Sequence, residues 1–171
     1  MKTIKELVLI AFLVATIEAA KLAIYYLPNI ELVTLLFILY ASVFPKRIAF
    51  ITSFMFVTFE MVIWGVGEWL IGYYIAWPLL VLLVIILKSI FKTNRDFWAL
   101  FAGAYGLLFG LLFALIHALF YGISFGIAYW IKGLTFDLIH CFSNYIIVLL
   151  LYKPLYDALE KLIKRLELAN E

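Results

Sequence analysis

Apolar runs of about membrane-spanning length fill most of this chain, and Lys and Arg gather at every second gap between them. Lys2 and Lys5 open the sequence. Lys46 and Arg47 mark one gap, and Lys88, Lys92 and Arg95 mark the next basic one. Lys153, Lys161, Lys164 and Arg165 close the chain. Of the 13 basic residues only Lys21 and Lys132 fall elsewhere. A polytopic membrane protein shows this alternation, because loops rich in Lys and Arg stay on the cytoplasmic side. It predicts an even number of crossings with both ends in the cytoplasm.

The bilayer is the solvent such a chain expects. Hydrophobic residues make up 68% of it and charged residues 14%, whereas a soluble domain is nearer half apolar and about a quarter charged. Backbone groups in hydrocarbon must be satisfied internally, by helices or by a closed barrel. The runs are continuous rather than alternating, so helices are expected. The fold class is an all-α membrane protein: a bundle of six transmembrane helices in one domain, with both termini cytoplasmic. The expected spans are 4–26, 31–44, 48–64, 72–91, 97–121 and 133–152. An amphipathic tail over 153–171 follows, its Leu155, Leu159, Leu162 and Leu166 forming a stripe for the inner membrane surface. The opening stretch runs on through Glu18 and Lys21 to Tyr26, so it reads as a first span rather than a cleaved signal. The single Cys141 excludes an intrachain disulfide and a cysteine-based metal cluster. Nothing points to nucleic acid.

Under this topology the two faces differ. Tyr25, Tyr26, Trp64, Trp69, Tyr73, Tyr74, Trp77, Tyr121, Tyr129 and Trp130 fall near the outer boundary; the inner one has chiefly Trp98 and Tyr152. An interfacial belt and a ring-lined cavity both use an apolar ring with a polar tip, and both readings stand. Ionisable residues within spans are costly and so are functional candidates. They are Glu18, Lys21, Glu60, His117, Asp137 and His140, all in the outer half. Asp137 lies four residues into its helix, about 6 Å deep at about 1.5 Å per residue, and Glu60 and His117 lie at similar depth. On the inner side, the stretches 7–15, 32–44, 48–57, 79–87, 97–115 and 145–152 hold no charged residue. A channel or proton relay needs polar groups at several depths, whereas this profile suits an outward pocket with a sealed floor.

Asp137, His140, Cys141 and Asn144 share a helical face. Asp137 and His140 are expected to pair with each other or with Glu60, and Glu18 with Lys21. Asp137, His140 and His117 could be imagined around a metal, but a clustered ligand set of the usual spacing is missing, and no metal is expected. Candidate ligand-binding residues are Glu60, Trp64, Trp69, Tyr73, Trp77, His117, Tyr121, Asp137, His140 and Asn144. No catalytic residue is assigned. The H-x-x-x-N spacing of His140 and Asn144 is similar to that of CAAX-type membrane proteases, but their E-E-x-x-x-R motif is lacking. An enzyme acting on lipid or prenyl substrates remains the alternative of another class. Small residues recur every fourth position at Ala11, Ala15, Ala19 and Ala23, and again at Ala102, Gly106, Gly110, Ala114 and Ala118. Such stripes let helices approach closely. The second is expected to pack within the bundle, while the first could equally face another protein.

Six short helices, an A-x-x-x-A stripe on the first and an aromatic outer pocket together resemble the substrate-binding S components of energy-coupling factor (ECF) vitamin transporters. The segments carrying the likeness are Pro28-Asn29-Ile30-Glu31-Leu32-Val33, Trp64-Gly65-Val66-Gly67-Glu68-Trp69, Tyr73-Tyr74-Ile75-Ala76-Trp77 and Phe136-Asp137-Leu138-Ile139-His140-Cys141. They are similar to a subgroup that includes cobalamin-specific members. The resemblance implies capture of a vitamin at the outer face, most readily cobalamin or a related corrinoid, with folate, pantothenate, pyridoxine or riboflavin types as alternatives. It implies gating by the outer connections after the first, third and fifth helices. It also implies docking through Ala11, Ala15 and Ala19 on a transmembrane coupling protein with two ATPase subunits. ATP and Mg would be used by those partners, since this chain has no Walker A motif, and it binds no cofactor of its own.

Overall fold

A short, largely apolar helix runs through the middle of the molecule, and the other five pack against it. The computed structural model describes residues 2–168, with side chains described over 4–165. Six helices follow in order: α1 (Lys2–Ala23), α2 (Val33–Val43), α3 (Lys46–Trp64), α4 (Trp69–Phe91), α5 (Arg95–Tyr121) and α6 (Ile123–Leu168). Among the described residues there is no strand. Helices α3, α4, α5 and α6 are long and apolar enough to cross a membrane.

Helix α2 is apolar around its whole circumference, as a helix buried on every side must be. Thr34, Leu35, Phe37, Ile38, Leu39, Tyr40 and Ala41 are all buried, and α2 touches each of the other five helices. A helix leaves its first N–H and last C=O groups unpaired. At the C-terminal end, Lys88 of α4 donates to the Ala41 carbonyl at 2.7 Å. At the N-terminal end, the Glu31 carboxylate accepts from the Thr34 N–H at 2.8 Å. An acid at the start and a base at the end also complement the helix dipole.

Several boundaries differ from those expected. Helix α1 ends at Ala23, and turns take over to Leu27, whose N–H bonds the Ile24 carbonyl at 2.9 Å. Helix α2 begins at Val33 rather than at residue 31, because Glu31 serves as its cap. Helices α3, α4 and α5 each start two or three residues early; at α5 the Asn94 side chain caps the Phe97 N–H at 3.0 Å. The largest correction is α6. The outer connection expected over Gly122 to Trp130 is helical from Ile123, and α5 turns into α6 at Gly122 alone, which takes a positive φ of 90° that glycine adopts without strain. The separate tail helix is absent too: α6 runs unbroken through Pro154. Rings pack on either side of the proline, with Tyr152 5.7 Å from Tyr156 and 6.2 Å from Trp98. Of the expected tail stripe, Leu159 packs on the core and Leu155 and Leu162 are exposed. The side chain of Leu166 and the whole of residues 169–171 lie outside the described residues.

Helices α5 and α6 form a close hairpin, and the small stripe of α5 is buried in it as expected. A Cβ added at Gly106 would come within 2.8 Å of the His140 carbonyl, and one at Gly110 would fall on the Asp137 carboxylate. The basic segments collect at one end of the bundle. Arg47 lies 3.6 Å from Glu6 there, and Lys46, Lys88 and Lys92 line one recess with Tyr156. The linker between α1 and α2, the segment between α3 and α4, and the α5–α6 turn lie at the other end.

Gly106→Val should force the hairpin apart and lower stability by about 1–3 kcal/mol. A Cβ at Gly133 would meet no described atom within 4 Å, so Gly133→Ala should leave stability unchanged or raise it by up to about 1 kcal/mol. Thermal unfolding of both variants in the same detergent checks the pair.

Candidate functional site

The cap on α2 is also the start of a polar network. Glu31 Oε1 lies 3.2 Å from His140 Nε2 on α6. One turn on, Asn144 Nδ2 donates to Thr34 Oγ1 at 3.2 Å, and Ser143 Oγ donates to the Asn29 carbonyl at 3.0 Å. The linker before α2 is thus fastened to one face of α6 at two points, and the first turn of α2 at a third. The Glu31 side chain is only 16% exposed, and burial alone would push its carboxyl up. The hydrogen bond and charge of His140, with the Thr34 bonds, outweigh burial and hold it below its ordinary value of 4.5.

A second polar group lies across from this one. Lys21 of α1 forms an ion pair with Glu60 of α3, whose side chain is 1% exposed. Glu18 is buried beside Glu60, and its carboxylate oxygens find no hydrogen-bond partner among the described residues. The Lys21 ammonium sits 5.6 Å from the Trp64 ring and 5.9 Å from Tyr73, within reach of a cation–π attraction. A buried charge needs such partners, because transfer out of water is costly.

Between the two groups is a cavity of about 380 Å³, walled by Lys21, Glu31, Trp64, Tyr73, Phe109 and His140. Asn29, Pro28 and Tyr25 also line it, and Phe56 and Trp77 close it beneath. Trp77 is 3% exposed and is fixed by other rings: it stacks on Phe37 at 5.5 Å, meets Phe56 edge-on at 5.9 Å, and lies 5.7 Å from Tyr73 and 5.5 Å from Phe109. Its indole N–H has no acceptor among the described residues. A buried donor left unmet costs about 1–3 kcal/mol.

Tyr73, Phe109 and Asn29 also line a neighbouring cavity of about 430 Å³, so these three side chains form a partition. Trp69, Phe113, Tyr129 and Asp137 border its far side. Asp137 Oδ1 accepts the Gly110 N–H at 3.1 Å, and its Oδ2 is unpartnered among the described residues.

The expected site residues therefore separate into groups. Trp64, Tyr73, Trp77 and His140 share the first cavity, and Glu60 stands behind it through Lys21. Trp69 and Asp137 belong to the second. Asn144 is buried in the α2–α6 seam. His117 and Tyr121 line neither cavity. Tyr121 donates to Glu68, His117 lies 3.9 Å from the same carboxylate and 4.4 Å from the Tyr129 ring, and together they tie the α5–α6 turn to the segment before α4. The expected charge pairs are corrected as well. Asp137 pairs with the Gly110 backbone, His140 with Glu31, and Lys21 with Glu60 rather than Glu18, because each side chain reaches a neighbouring helix more readily than its own. With those partners, Asp137, His140 and His117 are not gathered around a common centre, and among the described residues no three His, Cys, Asp or Glu side chains cluster as a metal set would.

Lys21, Glu31, Asn29 and Phe109 are missing from the expected set. Lys21 stands out in sequence as an in-span cation. Glu31 sits three residues before Thr34 at the head of an apolar run, a spacing suited to capping. Phe109 carries no signal that separates it from the other phenylalanines.

Glu31→Ala should lower the unfolding temperature, at a cost of about 0.5–2 kcal/mol for the lost cap. The sign with pH follows from the lowered carboxyl. Its stabilising contribution is complete above 4.5 and is lost as pH falls below that value. The gap between wild type and Glu31→Ala, followed by thermal unfolding across that range, should narrow on acidification.

Comparison with protein-family models, with characterised proteins and with solved structures finds no match, so the geometry of the site carries the functional argument.

Proposed function

We propose that this chain is the substrate-binding subunit of an ECF-type vitamin transporter, set in the cell membrane with six crossings and both ends in the cytoplasm. The observation that carries the reading is the first cavity: polar and ring-lined, at the end of the bundle opposite the basic cluster, and closed beneath by Trp77 and Phe56. That is the shape of a receptor for capture from outside, with no continuous path through.

The length of α2 supports the same reading. Eleven residues at about 1.5 Å each reach about 16 Å, roughly half the hydrocarbon thickness of about 30 Å. A helix that short can serve as a crossing only if the membrane above it is replaced by something wet, and the cavity lies directly over its capped end. Helix α1 has 22 residues, and its Glu18 and Lys21 face protein and cavity, where charge in a span is tolerated.

Ala11, Ala15 and Ala19 are exposed on α1. Ala11 and Ala15 line an apolar groove with Ile51, Met55 and Phe59 of α3. This surface suits close approach of a coupling protein's helices, with two ATPase chains supplying the energy. A cavity of about 380 Å³ falls at the small end of ligand sites. It favours a compact vitamin or precursor over a corrinoid, which would need the partition of Tyr73, Phe109 and Asn29 to open and join both cavities.

Ala11→Trp combined with Ala15→Trp should abolish copurification of an ATPase complex and reduce vitamin uptake at least tenfold, while ligand retained by the purified subunit is unchanged. Mass spectrometry of that ligand and affinity isolation from native membranes read both quantities. Assembly and uptake that survive the double substitution would rule out docking through this face.

A further inference from the structure

At the end of the bundle opposite the first cavity, several basic side chains pair with acids, and three that do not share one recess. Arg47 pairs with Glu6, Arg95 with Asp96, Lys153 with Asp157 and Lys164 with Glu160. Lys46, Lys88 and Lys92 instead line a recess of about 450 Å³ with Ile85, Ser89 and Tyr156. None of the three has a carboxylate partner among the described residues. Glu160 accepts from the Tyr156 hydroxyl at 3.3 Å but pairs with Lys164.

Each lysine is placed by the fold. Lys88 donates to the Ala41 and Ser42 carbonyls at 2.7 and 3.4 Å, which closes α2 but leaves the ammonium without an opposite charge. Lys46 opens α3, whose first turn has no acid and whose cap residue, Pro45, makes no side-chain bond. The positive end of that helix therefore adds to the same field. Lys92 ends α4 at a φ of 45°, a backbone region that favours glycine, and the Trp98 indole donates to its carbonyl at 2.8 Å. Three like charges drawn together repel, and an anion in the recess relieves them.

The surroundings favour a lipid over a soluble anion. Leu82, Ile86 and Ile90 are all exposed on α4, and their four-residue spacing sets them in one row that leads to the turn carrying Lys92. Acyl chains attached to an anion in the recess would cover that row, whereas a free ion would leave it bare. Basic pockets between spanning helices hold anionic head groups in this way.

We propose that the recess holds the phosphodiester of an anionic phospholipid, with Lys46, Lys88 and Lys92 facing the phosphate and the acyl chains lying along Leu82, Ile86 and Ile90. The inference goes beyond the transport reading and needs only that the basic end of the bundle sits at a bilayer surface.

The full chain in nanodiscs of equal phosphatidylglycerol and phosphatidylcholine tests it, with native mass spectrometry counting the lipid each molecule retains. Phosphatidylglycerol should be retained over phosphatidylcholine by at least about fivefold, and added salt should erode the preference. Lys46→Gln combined with Lys92→Gln should bring the ratio close to parity; Lys88 stays in place because it also closes α2. Lys153→Gln combined with Lys164→Gln removes the same charge from the same end, outside the recess, and should leave the preference intact. Lys92→Gly, which relieves the positive φ, should weaken the preference while the unfolding temperature holds or rises, a combination that a purely structural lysine does not give. Equal retention of the two lipids by wild type, or a preference untouched by the recess substitutions, overturns the proposal. Equal loss in both double variants overturns it too, since diffuse surface charge then suffices. Displacement of the lipid by excess inorganic phosphate would make the occupant a soluble anion and likewise overturn it.

Discussion

Everything at the cavity end depends on how a short buried helix ends. Helix α2 is packed against all five other helices, and its terminal N–H and C=O groups find partners from other segments. Glu31 supplies one end and Lys88 the other. Both are charged, which suits the dipole and strengthens the hydrogen bonds. A charged cap within a bundle needs a partner of its own. Glu31 finds it in His140, and that contact fixes where α6 passes and where the cavity wall stands.

The same logic applies on the other side. Lys21 is tolerable within the bundle because Glu60 meets it and the Trp64 and Tyr73 rings surround it. The two polar groups flank the cavity, and the ring cluster around Trp77 forms its floor. Below that floor the core is apolar, from Phe37 and Phe56 down to Trp98 and Tyr152. Structure and charge pattern thus share one asymmetry along the bundle axis: a ring-lined cavity with buried polar groups at one end, lysines at the other. The α5–α6 hairpin, pressed together by Gly106 and Gly110, carries Asp137 and His140 on one face and so brings both cavities onto the same helix.

Much of this was legible in the residues. The apolar runs mark six helices, the first five to within three residues at each end, and the small stripe on α5 packs internally. Trp64, Tyr73, Trp77 and His140, candidates by sequence, line one cavity. The rest was hidden for particular reasons. Helix α6 was cut at both ends because Gly122 to Trp130 looks like a connection and Pro154 like a stop, whereas packing of Tyr152 and Tyr156 overrides the local preference. The charge pairs were misassigned because spacing along one helix shows only neighbours on that helix, and the real partners, Glu31 with His140 and Lys21 with Glu60, lie 109 and 39 residues apart. His117 and Tyr121 share the depth of the cavity residues but not their direction, which depth alone does not reveal.

One-sided access is the central claim, and cysteine accessibility measures it directly. In a Cys141→Ser background, Asn29→Cys at the cavity mouth and Lys92→Cys at the basic end are each treated on intact cells with a membrane-impermeant maleimide. The account predicts labelling of Asn29→Cys from outside, protection of that site when the retained ligand is bound, and labelling of Lys92→Cys only after the cells are opened. Labelling of Lys92→Cys on intact cells, with Asn29→Cys reached only from within, would contradict it.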